Sequence, residues 1–240
     1  MSDLFWNLVQ ATAEYQSWQK GGWNTFTITA ALLIGFTVTE TYGIIVQNRE
    51  IWRERSGASV SVTMNLFFFS FFFVAAIFGW HERSAAMVFN AVVTGAAQVP
   101  IVLGLWKFKG FTRKEWISAG LFAAMMAWEL YTPNKSFWYL VFSFGLWYSL
   151  YTQLKELWDA GETGVLNGQL LAVFLVSSGT WTAFAFAGEN PYFKISQVGI
   201  ISLFTAITAL WCWYWLREHF FREGEDYPFR KWLEKILIVD

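Results

Sequence analysis

The chain has 240 residues, of which 55% are hydrophobic, 21% aromatic and only 15% charged. Soluble globular domains carry about 25% charged residues, and here the apolar residues fall in runs near the ~20 needed to cross a bilayer, so an ordinary soluble domain is excluded in favour of a polytopic membrane protein. A net charge of −1 leaves no nucleic-acid footprint, the lone Cys212 excludes an intrachain disulfide and a cysteine-based cluster, and His81 and His219 flank different runs, so neither a metal site nor a cofactor is expected.

Taken in order, residues 1–22 do not read as a secretory signal: Asp3 stands where a basic n-region belongs, and no small-residue cleavage site follows. Leu4, Phe5, Leu8 and Val9 recur at helical spacing, with Trp18 and Trp23 beyond, which predicts a short interfacial helix. Seven spans follow near 23–46, 59–80, 84–106, 116–132, 136–154, 165–187 and 191–216, with Trp and Tyr at many of their ends as an aromatic belt requires. The fourth is the shortest, and its Ala119, Ala123 and Ala127 form a small face suited to close packing. The Phe67-Phe68-Phe69 and Phe71-Phe72-Phe73 runs are expected to face lipid or neighbouring helices, and Glu129 to sit at the interface. In the tail, Phe229, Trp232, Leu233, Ile236 and Leu237 share an apolar face, so 217–240 reads as an amphipathic segment on the cytosolic surface.

Lys and Arg set the orientation. One side of the spans collects Arg49, Arg53, Arg55, Lys107, Lys109, Arg113, Lys114, Lys155, Arg217, Arg222, Arg230, Lys231 and Lys235, whereas the other holds only Lys20, Arg83, Lys135 and Lys194. The positive-inside rule then puts the N-terminus outside and the C-terminus in the cytosol.

An internal repeat organises these spans. Gln47-Asn48-Arg49-Glu50-Ile51-Trp52, running on to Ser56-Gly57-Ala58-Ser59, returns as Gln153-Leu154-Lys155-Glu156-Leu157-Trp158, running on to Thr163-Gly164. Matching Gly57 to Gly164 sets the offset between the copies (164 − 57 = 107) and pairs spans 1–3 with spans 5–7. The fourth span is then a linker and the copies share one orientation. The expected fold is all-α: seven transmembrane helices as two parallel three-helix bundles, 23–106 and 136–216, joined by a linker region 107–135, in a 3+1+3 layout with a central cavity between them.

This doubled link, with Gln47, Gly57, Gln153 and Gly164 as its markers, resembles the PQ-loop superfamily, which includes SWEET-like sugar carriers and KDEL receptors. The resemblance covers the layout of all seven spans but only about a dozen residues twice in motif. The family's Pro before each Gln is Val46 and Thr152 here, so the hinge that Pro supplies by removing a helix hydrogen bond is missing.

The resemblance places a substrate pocket on amides of the third helices and aromatics of the second. Carried over by position, these are Asn90 and Gln197, related by the same offset as the two glycines, with Trp181 and its partner Val74. An amide both donates to and accepts from a hydroxyl, and an indole face stacks on a sugar or base; the competing reading is a set of interhelical hydrogen bonds. Glu40 is the only acid well inside a span, and an intramembrane carboxylate is a functional candidate by default. Asn65 and Gln98 are expected at similar depth, forming with Glu40 a polar layer for gating. Glu40 would exchange a proton during transport, since burial disfavours the charged form of a carboxyl; the competing reading is a structural glutamate.

Together these features predict a non-enzymatic carrier for a small neutral polar solute, sugar- or nucleoside-like, in the inner membrane of a prokaryote. Its expected partners are that solute and the lipid bilayer, with homo-oligomer formation left open. The alternative is a seven-helix receptor of the KDEL-receptor kind, against which stands the absence of Lys or Arg in the middle of spans 1–3 and 5–7. A retinal protein would need a Lys within the last span, and Lys194 lies at its edge.

Overall fold

The structure is a computed structural model in which residues 7–220 are described. After a helical turn over 7–10 it forms eight longer helices: α1 (Ala13–Gly21), α2 (Thr25–Glu54), α3 (Val62–His81), α4 (Ala85–Phe108), α5 (Arg113–Tyr131), α6 (Lys135–Ala160), α7 (Gly168–Ala187) and α8 (Pro191–Phe220). The described residues contain no strand. Of the tail expected to be amphipathic, residues 221–240 lie outside the described residues, as do Asp3, Leu4 and Phe5.

Helix starts follow local chemistry. Thr12, Asn24, Ser61, Ser84, Thr112, Asn134 and Asn167 each accept a first-turn backbone N–H on the side chain, satisfying donors that have no partner inside the helix. Asn190 does the same for Tyr192 and Phe193 at the head of α8. Asn24 with Thr27 and Thr112 with Glu115 close reciprocal capping boxes.

Five helices, α2, α3, α4, α7 and α8, are long and apolar enough to cross a bilayer, which makes the chain an integral membrane protein by length and composition. α5 and α6 are not in that set: α5 opens on Arg113-Lys114-Glu115, and α6 ends in the charged stretch around Lys155, Glu156 and Asp159.

The packing is two-fold in pattern. α4 packs against both α2 and α3, and α8 against both α6 and α7; across the halves α2 meets α7 and α3 meets α6. α5 lies against α3 and touches α6. The four inner helix ends repeat at one offset: Glu54 and Ala160, Val62 and Gly168, His81 and Ala187, Ala85 and Pro191 (160 − 54 = 106, and the same for each pair). The register is therefore 106 and not the 107 that the glycines suggest. The physical reason is that the two glycines do different work. A Cβ on Gly57 would strike Leu105 and Lys109 at the end of α4, whereas Gly164 has φ +53° and a Cβ there would strike the Ser59 side chain of the opposite link. Each is small for its own contact, so they are not equivalent positions.

Candidate functional site

The repeat motif builds a reciprocal clasp at one end of the bundle. Gln47, buried on α2, donates through Nε2 to the Val165 carbonyl (2.7 Å) and accepts at Oε1 from the Asn167 amide (2.9 Å). Gln153, buried on α6, donates to the Ser59 carbonyl (2.9 Å) and accepts from the Ser61 amide (3.0 Å). Partners on both sides obey the 106 offset. Each glutamine satisfies a carbonyl and an amide two residues apart in the other half's link, so an amide side chain is needed, because a carboxylate or alkyl group cannot do both. Glu50 adds a bond to Asn167 (3.0 Å), and Glu156 pairs with Lys109 (3.1 Å). Gln153→Ala would leave two buried backbone groups unpaired and should lower stability by about 2–6 kcal/mol, at roughly 1–3 per orphaned group. A thermal melt in detergent reads this; an unchanged melting temperature would show that the clasp is not structural.

Between the halves lies a cavity of about 70 Å³ whose lining includes Glu40 of α2, Asn90 of α4, Ser177, Ser178 and Trp181 of α7, and Gln197 of α8. Asn90, Gln197 and Trp181, named from the resemblance, thus come together around one space. Val74 does not line it: it is fully buried, and its neighbour Ala75 takes the cavity position. The correction follows from the register, since the helix-end offset matches Trp181 with Ala75 and not with Val74. By the same offset, Asn90 corresponds to Ser196 and not to Gln197. The hydrogen bonds agree: Asn90 bonds Thr37 (3.1 Å), and Ser196 bonds Ser143 (2.6 Å), in matching positions of the two halves.

Glu40 breaks the symmetry. Its Oε2 accepts from Asn90 (2.7 Å) and its Oε1 from the Ser177 hydroxyl, so one carboxyl ties α2 to α4 and α7. Its counterpart, Leu146, lines the same cavity. Glu40 is not joined to Asn65 and Gln98, as a single polar layer would require. Those two bond each other (2.5 Å), and Asn65 bonds the Ser61 carbonyl (2.8 Å), placing them with the clasp and not with Glu40. Glu129, near the end of α5, is buried, with the Lys135 ammonium on its main-chain oxygen.

Much of the remaining lining is aromatic, which was not expected. Phe68, Phe71 and Phe72 face the cavity, although the phenylalanine runs were expected to face lipid or other helices. Their spacing with Ala75 (i, i+3, i+4, i+7) traces one helix face, whereas Phe69 and Phe73 are exposed. Phe68 and Phe174, again a pair matched by the helix-end offset, stack across the interface of the halves with centroids 5.8 Å apart, and Phe204 stacks on Phe68 at 6.3 Å. The Tyr139 hydroxyl lies beside Ser196 and Gln197. Trp181 packs edge-on against Phe184 and Phe193.

Among the described residues no group of His, Cys, Asp and Glu is arranged to hold a metal ion. Comparison of the chain with family models, with curated proteins and with solved structures finds no match.

Proposed function

We propose that the chain is a carrier for a small neutral polar solute, sugar- or nucleoside-like, working through the cavity between two parallel three-helix bundles, α2–α4 and α6–α8, with α5 as the linker. The observation that carries this reading is the convergence of Asn90, Gln197, Trp181 and Glu40, drawn from both halves, on one space along the two-fold pattern. Amides and hydroxyls there suit hydroxyl groups, and the indole and phenyl faces suit the apolar side of a ring. Ligand pockets are usually about 300–1,000 Å³, so a cavity of about 70 Å³ corresponds to a contracted state that must widen to take a solute. The same features support the resemblance to PQ-loop carriers, with all seven helices α2–α8 in the bilayer, the N-terminus outside and the clasp on the cytosolic side of a prokaryotic inner membrane.

A receptor of the same layout is the second reading. It is favoured by the small cavity and by Val46 and Thr152 standing where the family has proline. Uptake of radiolabelled mono- and disaccharides and of uridine into proteoliposomes separates the two. The carrier reading expects saturable uptake that Gln197→Ala lowers by about tenfold or more, the scale of a lost buried hydrogen bond. Saturable binding without uptake of any neutral solute would overturn it in favour of the receptor.

A further inference from the structure

A second, larger chamber of about 330 Å³ lies at the N-terminal end of the bundle, lined by Phe26, Glu82, Phe184 and Phe193 and closed on one side by Ala13 and Ser17 of α1. It adjoins the central cavity: Met87 lines both, and Phe184 and Phe193 of its wall carry the Trp181 ring. A solute passing from this end to Asn90 and Gln197 crosses it.

α1 is fastened over this chamber by polar contacts, and none of its residues is buried. The Ala13 amide donates to the Arg83 carbonyl (2.9 Å). The Glu14 carboxylate accepts from the Ser84 hydroxyl (2.5 Å) and from the amides of Ala85 (3.0 Å) and Ala86 (3.2 Å), against the positive end of the α4 dipole. At its other end the Asn24 side chain reaches back to the Ser17 hydroxyl (3.1 Å). There α1 leads into Gly22, whose φ of +61° is one that glycine adopts freely. With none of its residues buried and these bonds holding it to the head of α4 and to Asn24, α1 can leave its seat without disturbing the core.

We propose that α1 is a lid on the solute pathway. Docked, it covers one side of the chamber; release of Ala13 and Glu14 from the head of α4, with parting of the Asn24–Ser17 bond, swings it about Gly22 and widens the access of water to the chamber. The role of the lid rests on the carrier reading, but its movement is testable without transport. In a Cys212→Ser background, Ala185→Cys places a thiol at a buried position of the chamber wall. Its labelling rate by a membrane-impermeant methanethiosulfonate in detergent micelles reports opening. Glu14→Gln weakens one fastening. Ala13→Pro removes another: Pro is tolerated at the first helical position, and Thr12 already has the extended backbone (ψ 149°) that a residue before proline requires. Both variants should raise the rate by about tenfold, the scale of a lost charge-assisted or buried bond. An unchanged rate in either overturns the lid. So does an equal rise at Ser149→Cys, a fully buried position on α6, because that signals general loosening. Failure of the carrier reading would appear instead as absent uptake by the parent protein, with these rates unaffected.

Discussion

On the carrier reading, Ala75→Trp should abolish solute uptake in a protein that still folds. Ala75 lines the central cavity at the position that Trp181 occupies in the other half, and the cavity of about 70 Å³ cannot take a second indole and a solute. Overpacking of this kind costs typically about 1–3 kcal/mol, a shift in the melting temperature that leaves the fold assembled. Val74→Trp is the contrasting variant: Val74 is fully buried and does not line the cavity, so its main effect should be on the melt. Uptake by Ala75→Trp at the parent rate would show that the solute does not pass between Ala75 and Trp181. Loss of uptake in Val74→Trp with an unaltered melt would restore the glycine-based register for the second helices.

If the chain is a carrier and Glu40 its proton site, Glu40→Gln should make uptake insensitive to an imposed pH gradient. Glu40 is buried, receives hydrogen bonds from Asn90 and Ser177, and forms no ion pair among the described residues, where the only pairs are Arg53–Glu54, Lys109–Glu156 and Lys155–Asp159. A carboxyl held by neutral donors has a proton as its simplest way to lose charge when water leaves the cavity. Glutamine keeps the shape and can still accept from one donor, with the Ser177 hydroxyl turning to accept in return, so its melt should stay close to the parent's. Glu40→Leu removes both acceptors; Asn90 keeps its bond to Thr37 while the Ser177 hydroxyl loses its acceptor, so the variant should cost about 1–3 kcal/mol or more. If Glu40→Gln transports with the parent's pH dependence, Glu40 is a structural tie between α2, α4 and α7 and carries no proton.

Much of this molecule was legible in its residues. Runs of apolar side chains require helices in lipid, because only a helix satisfies its own backbone there, and the Ser, Thr and Asn residues that begin them sit where their side chains cap the first turn. The doubled Gln was readable as a pair because both copies perform one task on the opposite link. Asn90, Gln197 and Trp181 were reached through the resemblance and Glu40 as a lone acid, which is costly inside an apolar span, and all four line the cavity.

Other features depend on contacts between distant residues. The offset of 106 was present in the links, since Gln47 and Gln153, Glu50 and Glu156, and Trp52 and Trp158 are each 106 apart; matching the glycines gave 107, because glycine is kept wherever a backbone or side chain comes close, and Gly57 and Gly164 answer to different neighbours. That one-residue difference moves the Trp181 counterpart from Val74 to Ala75 and the Asn90 counterpart from Gln197 to Ser196. In α3 a nearly continuous phenylalanine run offers no polar face, so periodicity alone cannot separate Phe68, Phe71 and Phe72 on the cavity from Phe69 and Phe73 on the surface; lipid and protein interior are equally apolar. The partners of Glu40 lie 50 and 137 residues away. Composition and local pattern thus determined that this chain is helical, membrane-embedded and doubled, because those properties follow from each residue's preference for lipid or water. Which side chains meet in the middle was decided only by the packing of one half against the other, where a single residue of register selects every neighbour.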